Sequence, residues 1–423
     1  MARAQRERGT GPAGALAVIE SVLADRGLSA EMVSAGSAEF PVHRCTVRDP
    51  EGRAVTASLG KGAGAQSRVS ALFEAWQHLQ HEEGQAALAH DSGRVRAMPV
   101  GTVVCQPELR GEEMIQRLAR DYPDAGLACL RAEPLSPGRS PVWYPAFSRS
   151  PSCRSHPIPG DDLRYEPYLR YAYDNGTAAG VSEQDALLHG LLEVVERDAL
   201  SHALLEWYLG GRSRLSALDP ESLPPDLRRL YGEAAAYLGA LPLVIDITSD
   251  LGIPVYCALP SRAGPYPGVI GSGASLDPEY AVERALTEVV QSSFNLSLGV
   301  DLTLGRRLES LRRWPLLERC ARLDAAPLLD RVTFDARPPE AGPGGAPGDV
   351  PKGVGEQIAV VLETLERAGF GAYSFRWNPE HDRCPVLTVI VPGLEAFSMV
   401  HSAVPVLPTG RALRRLAGPL TCR

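Results

Sequence analysis

Residues 177–197 read TAAGVSEQDALLHGLLEVVER, and this stretch decides the architecture that we expect for the chain. Small residues around Gly180 are followed by a run that is rich in leucine. Ser182 suits the N-cap of a helix, and Asp185 stands at the capping-box position three residues later. The pattern therefore predicts a long helix from about Ser182 to Trp207.

One polar stripe runs along this predicted helix. Residues at i, i+4 and i+7 share a helix face, and here they are His189, Glu193 and Glu196, with Arg197 beside them. Most of the remaining circumference is leucine and valine, which predicts burial. Buried carboxylates are unfavourable unless they meet cations or hydrogen-bond donors. We therefore expect the two glutamates to repel each other, with raised pKa values, until a cation binds.

The same pattern occurs in two other segments, residues 60–77 and 271–291. Each begins with small residues around a glycine, enters a helix, and then reads small–Leu–x–Glu–x–x–(Gln or Glu). The equivalent stripes are Ser70, Glu74 and Gln77 on one helix, and Arg284, Glu288 and Gln291 on the other. A solvated helix face explains a single stripe, but it need not place glutamate at the same register three times. Clustered glutamates suit Mg²⁺, which accompanies nucleotide phosphates.

Glycine precedes each of the three helices. A glycine-rich helix N-terminus can approach and stabilise phosphate, and we interpret Gly60–Gly64 and Gly268–Ala274 as glycine-rich loops. Lys61 stands out because Lys352 is the only other lysine of the chain; a solvated turn lysine is the alternative interpretation. No segment reads G-x-x-x-x-G-K-[ST] or carries a kinase catalytic-loop signature.

Length, charge and cysteine content limit the class of protein. A chain of 423 residues suggests two to three structural units, and a net charge of −8 argues against nucleic acid as the main partner. The eight cysteines form no Cys-x-x-Cys, so we expect reduced thiols and no zinc site. The sequence has no secretory h-region and no membrane-length apolar run. We expect a cytoplasmic protein without a membrane partner.

Further elements are predicted around the three segments. Asp277-Pro278 should start the third helix, because proline is tolerated at the first helical position. The other predictions are helices at 14–28 and 354–368, two strands within 40–59, strands at 100–104, 243–247, 255–259, 373–377 and 385–391, and loops at 148–170 and 335–353. The last loop is rich in proline and glycine and predicts a flexible surface segment.

The motifs resemble the YcaO superfamily. Residues 173–180, YDNGTAAG, match its N-G-x-A-x-G motif, and residues 193–199, EVVERDA, match its E-x-x-E-R-D-A motif. Gly60-Lys61-Gly62 with Ser70-x-x-x-Glu74, and Arg284-Ala-Leu-Thr-Glu288-x-x-Gln291, match its other two nucleotide motifs. Their order and rough spacing agree, and the resemblance extends over about residues 40 to 405.

This resemblance implies an α+β fold of the YcaO type, with pseudo-symmetric halves of helices packed on mixed sheets and an interior ATP site. We therefore expect an N-terminal helical segment at 1–39, a YcaO-like ATP-binding catalytic domain at 40–405, and a C-terminal tail at 406–423. A homodimer is the expected assembly. Only about sixty residues precede the first motif, which is short for a leader-binding domain, so we also expect a leader-binding partner protein.

The resemblance also implies a chemistry. A nucleophile attacks a backbone amide carbon, ATP phosphorylates the resulting oxyanion, and loss of phosphate gives an azoline, a thioamide or an amidine. The implied Mg²⁺ ligands are Glu74, Glu193, Glu196 and Glu288. The implied ATP contacts are Lys61, Ser70, Gln77, Asn175, Arg197, Arg284 and Gln291. The resemblance gives catalytic roles to Glu193, Glu196, Arg197 and Arg284.

Two departures from the family pattern leave alternatives open. Gln77 stands where the family usually has a second glutamate, and the tail from Pro405 lacks the proline-rich C-terminus of many azoline-forming members. The leading hypothesis is cyclodehydration of Cys, Ser or Thr to thiazoline or oxazoline in a ribosomally made precursor peptide of a natural-product pathway. The alternatives are thioamide or macroamidine formation, and a non-catalytic ATP-binding or scaffold subunit, which Gln77 alone supports.

Overall fold

The computed structural model describes residues 7–36, 41–150, 155–210, 214–262, 268–297, 304–323, 325–335 and 350–417. The helices are α1 (Pro12–Asp25), α2 (Ala65–Leu88), α3 (Val100–Val103), α4 (Glu113–Asp121), α5 (Glu183–Leu205), α6 (Pro225–Leu238), α7 (Pro278–Ser297), α8 (Leu304–Leu311), α9 (Pro315–Arg322), α10 (Ala326–Leu329), α11 (Val354–Arg367) and α12 (Gly410–Ala417). The strands are β1 (Ser29–Gly36), β2 (Pro41–Arg48), β3 (Ala54–Gly60), β4 (Val95–Pro99), β5 (Gly126–Pro134), β6 (Val142–Pro145), β7 (Thr177–Ala179), β8 (Leu215–Leu218), β9 (Pro242–Asp246), β10 (Val255–Pro260), β11 (Gly271–Ala274), β12 (Val332–Asp335), β13 (Tyr373–Arg376) and β14 (Val386–Ile390).

The strands form three sheets. One has the order β1-β2-β3, the second β11-β10-β9-β8-β12, and the third β4-β5-β13-β14-β7 with β6 beside β5. The pairings are antiparallel except that of β12 with β8. The three helices of the sequence repeat each lie on sheet strands: α2 on β2 and β3, α5 on β7 and β14, and α7 on β10 and β11.

The central helix α5 forms as its sequence predicts. The Ser182 side chain accepts the backbone N–H of Asp185, and the Asp185 carboxylate accepts that of Ser182, which completes the capping box. Leu191 and Val195 are fully buried in the largest apolar cluster. The helix continues into a π-helical turn at Glu206–Gly210. The apolar side of the helix thus packs into the hydrophobic core. The polar stripe, on another side of the helix, also faces the protein interior.

The glycines before the three helices contact small residues on those helices. A Cβ on Gly60 would lie 2.3 Å from the backbone nitrogen of Ala71, and one on Gly271 would lie 2.3 Å from the carbonyl oxygen of Ala285. In α5 the helix residue is itself Gly190, whose added Cβ would lie 2.7 Å from the carbonyl oxygen of Gly176. The repeated small residue before Leu-x-Glu is therefore explained by close packing of each helix on its strand.

Gly190→Ala is expected to lower the free energy of unfolding by about 2 kcal/mol, because the new methyl group overlaps the neighbouring backbone and Val389. The matched control is Gly232→Ala on α6. A Cβ at Gly232 meets nothing within 4 Å, so alanine should stabilise that helix by roughly 0.5–1 kcal/mol. Thermal unfolding of both variants tests the packing, and equal stability of the two variants would contradict it.

Several local predictions are wrong. Val100–Val103 is a short helix rather than a strand, and the strand precedes it as β4. Gly271–Ala274 is the buried strand β11 rather than part of a loop, because its glycines admit α7 at close range. The segment 1–39 is not only helical, since β1 pairs with β2 over its whole length. The predicted loop 335–353 falls mostly on residues 336–349, which lie outside the described residues.

No helix in the described ranges combines the length and the apolar character that a membrane span requires.

Candidate active site

The polar stripes of α2, α5 and α7 meet at one cavity, which we call the carboxylate cavity. Its walls carry Glu74, Glu193, Glu196 and Glu288. All of the predicted site residues except Asn175 line it. The other predicted residues on its walls are Lys61, Ser70, Gln77, Arg197, Arg284 and Gln291. Three helices that are far apart in the chain thus place their equivalent glutamates around one space.

Glu196 is anchored within a network of donors. Its carboxylate accepts hydrogen bonds from Ser272 Oγ at 2.6 Å, the backbone N–H of Ala274 at 3.2 Å and Arg284 Nη2 at 3.3 Å. Burial raises its pKa, but Arg284, Lys61 and Arg197 outweigh burial and lower it to about 2. The expectation of a raised pKa is therefore wrong for Glu196, because tertiary contacts supply cations and donors to this carboxylate.

Glu74 and Glu193 behave in the opposite way. Burial raises the pKa of Glu74 to about 8, and nearby Glu288 adds to the rise although Lys61 opposes it. Burial also raises the pKa of Glu193 to about 7, against the effect of Arg197. The raised pKa expected for Glu193 is confirmed. These two carboxyls lack sufficient local positive charge, and their oxygen donors fit a divalent cation such as Mg²⁺.

The basic and amide residues hold defined positions around the carboxylates. Lys61 Nζ donates to Glu288, and this pair links the residue that follows β3 to α7. Arg197 is partly buried, which lowers its pKa, but Glu196 and Glu193 keep that pKa above the usual value. Gln291 Nε2 donates to the carbonyl oxygen of Leu59 at 2.6 Å, so this amide also ties α7 to β3.

Asn175 is not brought to the carboxylate cavity. It lines a neighbouring cavity that also contains Tyr173, Arg149 and Glu112, whereas Asp174 lines the carboxylate cavity. Tyr173 and Asn175 therefore face the neighbouring cavity, and Asp174, between them, faces the carboxylate cavity. The contact between Asn175 and ATP that the family resemblance implies stays a prediction, and the position of Asn175 does not support it.

Sequence reasoning missed several residues of the site. Asp174 contributes a further carboxylate; burial raises its pKa, but His81, whose Nδ1 lies 3.8 Å away, together with Thr177 and His78 outweighs burial and lowers it. His78 also lines the cavity, and its place one turn after Glu74 could have indicated it. Glu7 hydrogen-bonds Ser275 and lies 4.0 Å from Arg284, and no local pattern around Glu7 indicates this contact.

The C-terminal segment is tied to α5 by a second charged cluster. Asp198, His202 and Asp250 lie close enough to share a metal ion, but Arg411 occupies the space between the aspartates. Its Nη2 lies 3.1 Å from Asp198 and 2.7 Å from Asp250. We therefore assign an ion-pair network here, and the tail predicted from residue 406 includes a helix, α12, that is anchored on α5.

A family model described as YcaO cyclodehydratase, ATP- and Mg²⁺-binding, matches residues 59–395. The chain belongs to the YcaO family. This confirms the resemblance, and ATP and Mg²⁺, the predicted cofactors, are those of the family. An uncharacterized protein of Methanothermobacter thermautotrophicus is 29% identical over 378 residues, which cover 85% of this chain and 87% of that protein.

Two solved structures share the fold. YcaO from Methanopyrus kandleri, bound with AMPPCP and Mg²⁺, has a TM-score of 0.60 at 22% identity, and the match covers 95% of this chain and 96% of that one. A heterocyclase in complex with substrate and cofactor has a TM-score of 0.60 at 19% identity. The match covers 95% of this chain but 58% of the heterocyclase. The predicted α+β fold of the YcaO type is confirmed.

Proposed function

We propose that this chain uses MgATP to activate backbone amides of a ribosomally made precursor peptide. The observation that carries the proposal is the carboxylate cavity itself. It combines two glutamates with raised pKa values, Glu74 and Glu193, with the cations Lys61, Arg197 and Arg284. Carboxylates that lack local compensation bind Mg²⁺, and arginine and lysine stabilise phosphates.

The residues divide into two roles. Glu74, Glu193 and Glu288 would hold Mg²⁺, and Glu196 would complete the set while keeping Arg284 in place. When bound, Mg²⁺ and ATP supply charge neutralisation and a transferable phosphoryl group. Arg197 and Arg284 stabilise the negative charge that develops during transfer, because both guanidiniums line the cavity in a largely buried site.

The leading reaction is cyclodehydration of Cys, Ser or Thr to thiazoline or oxazoline. A heterocyclase in complex with substrate and cofactor shares this fold, which favours a ring-forming reaction among the candidates. Thioamide or macroamidine formation uses the same amide activation with another nucleophile and remains the second candidate. A leader-binding partner protein and a homodimer remain part of the proposal.

Lys61→Met is expected to weaken MgATP binding at least about tenfold, because it removes a phosphate-binding cation and leaves Glu288 without its partner. The only other lysine, Lys352, is exposed, so Lys352→Met is a matched control that should bind as the wild type does. Calorimetry with MgATP measures both. A well-folded wild-type protein that binds no MgATP would overturn the proposed function.

The mass of the modified peptide separates the reactions. We would incubate the protein with MgATP and synthetic peptides that carry Cys, Ser or Thr, and with any short Cys/Ser/Thr-rich precursor peptide found among the neighbouring genes. Loss of one water indicates an azoline or an amidine, and exchange of oxygen for sulfur indicates a thioamide. Fragmentation then shows which residue is cross-linked, and MgATP binding without ATP turnover or peptide modification would favour the scaffold alternative.

A further inference from the structure

Beyond the carboxylates the cavity continues into a second space, which we call the rear chamber. Glu74, Arg197 and Glu288 belong to the walls of both spaces and therefore mark their junction. The residues that line only the rear chamber are mostly polar or basic. They include Arg44, Ser58, Ser272, Ser292, Asn295 and His401. Phosphates held at the junction would face this chamber from the carboxylate side.

His401 presents one imidazole nitrogen without a strong partner. Its Nδ1 lies 2.5 Å from the carbonyl oxygen of Ser398, and because a carbonyl can only accept, Nδ1 carries the proton. Nε2 therefore holds the lone pair, and its one polar contact within the described part of the chain is Ser402 Oγ at 3.4 Å. Burial, together with Arg197, lowers the pKa of His401 to about 4, so the ring is neutral at neutral pH.

The backbone around His401 is held against the helix that carries Arg197. Ser201 Oγ donates to the carbonyl oxygen of Arg197 at 2.6 Å and accepts the backbone N–H of Ser398 at 2.7 Å. One residue beyond Arg197, Asp198 accepts the backbone N–H of Glu395 at 2.8 Å. These hydrogen bonds fix the 3₁₀ helix Phe397–Ser402, and with it His401, relative to the junction.

We propose that the rear chamber receives the reacting peptide amide and that His401 Nε2 takes the proton of the attacking side chain. The proposal rests on the proposed function. The S–H or O–H bond of a substrate Cys, Ser or Thr breaks as its sulfur or oxygen bonds to the amide carbon, and the proton passes to Nε2. The amide oxygen then takes the γ-phosphoryl group of ATP, and ADP leaves. The C–O bond to the phosphorylated oxygen then breaks, and the amide N–H proton leaves with the phosphate as hydrogen phosphate, which gives the C=N bond of the azoline. His401 returns its proton to solvent.

The charges around the ring suit this role. Arg197 lines the rear chamber with His401 and, together with burial, keeps the ring neutral. Arg44, Glu74, Glu288 and a further imidazole, His78, also line this chamber. A neutral imidazole can accept a proton, and negative charge brought next to it by a bound nucleotide raises its basicity. The base would thus become effective when the site is occupied.

The tautomer can be read on the nucleotide-free protein. Histidine-selective ¹⁵N labelling and two-bond ¹H–¹⁵N correlation, with His401→Gln to assign the signal among nine histidines, should show the Nδ1–H form and a neutral ring at neutral pH. An Nε2–H form, or an imidazolium at neutral pH, would overturn the proposal. The tautomer measurement does not depend on catalysis or on MgATP. A protein that fails to bind MgATP would therefore overturn the proposed function but leave the result of the tautomer measurement unchanged.

Kinetics supply the second measurement. His401→Gln should lower peptide-dependent ADP release about 100-fold or more and leave MgATP affinity within about threefold of the wild-type value. His90 is exposed, and His90→Ala is the matched control with unchanged rate. Added imidazole should restore part of the activity of His401→Gly. Turnover of His401→Gln within about threefold of the wild type, or no rescue of His401→Gly by imidazole, would overturn the proposal.

Discussion

Glu193→Gln is expected to abolish peptide-dependent ATP turnover while the metal-free protein keeps its stability or gains some. The carboxyl of Glu193 sits beside Asp174 and Glu196, and burial with these neighbours raises its pKa to about 7. Glutamine keeps the volume and hydrogen-bonding capacity but removes a charge that the folded state disfavours. It also removes an anionic ligand, so Mg²⁺ binding should weaken.

Glu196→Gln should abolish turnover as well, but with a loss of stability. Its carboxylate is paired with Arg284 and accepts hydrogen bonds from Ser272 and Ala274. Removing one partner of a buried ion pair leaves the other uncompensated, which lowers the free energy of unfolding by about 3 kcal/mol. Glu193 and Glu196 lie on the same stripe of the helix, but the structure predicts different effects of their substitution on stability.

Thermal unfolding without metal, measured beside ATP turnover, tests this difference. Glu82→Gln is the matched control, because Glu82 is exposed and lies on α2, the helix that carries Glu74; it should change neither quantity. If Glu193→Gln loses stability in step with Glu196→Gln, Glu193 is a structural ion-pair partner, and the evidence for a metal site on α5 is lost.

Mg²⁺ is expected to stabilise the protein far more at about pH 8 than at about pH 5. The pKa values of Glu74 and Glu193 are raised to about 8 and about 7 in the folded state, above the ordinary value of 4.5. As pH rises from 4.5 to about 8, the folded state therefore holds more protons than the unfolded state. The free energy of unfolding of the metal-free protein should fall across this window, by several kcal/mol.

Mg²⁺ reverses this loss because it competes with protons for the same carboxylates. Thermal midpoints across the window, with Mg²⁺ and with K⁺ at equal ionic strength, separate binding from screening. The Glu74→Gln/Glu193→Gln double variant should have a flatter pH profile and a smaller Mg²⁺ effect. Glu196, with its pKa near 2, contributes stability that is lost only as pH falls from 4.5 toward 2. A Mg²⁺ effect independent of pH would show that these glutamates are not ligands.

The sequence by itself determined the features that depend on local geometry. Helical periodicity placed Glu74, Glu193 and Glu288 at one register on three helices, and the Ser182–Asp185 capping box set the start of α5. These relations involve residues within a few turns of one another, so a pattern of residue types is enough to predict them.

Only the tertiary structure decided which carboxylates are already paired. Ser272 lies 76 residues from Glu196, and Lys61 lies 227 residues from Glu288. Such contacts depend on how helices and strands pack, and that packing follows from the shapes of many side chains together. The same holds for Asp174 rather than Asn175 facing the cavity, for glycines that serve helix packing, and for His401 next to Arg197. Helix periodicity depends on neighbouring residues and can be predicted from the sequence. The charge balance of a buried site depends on contacts between distant residues, which only the tertiary structure shows.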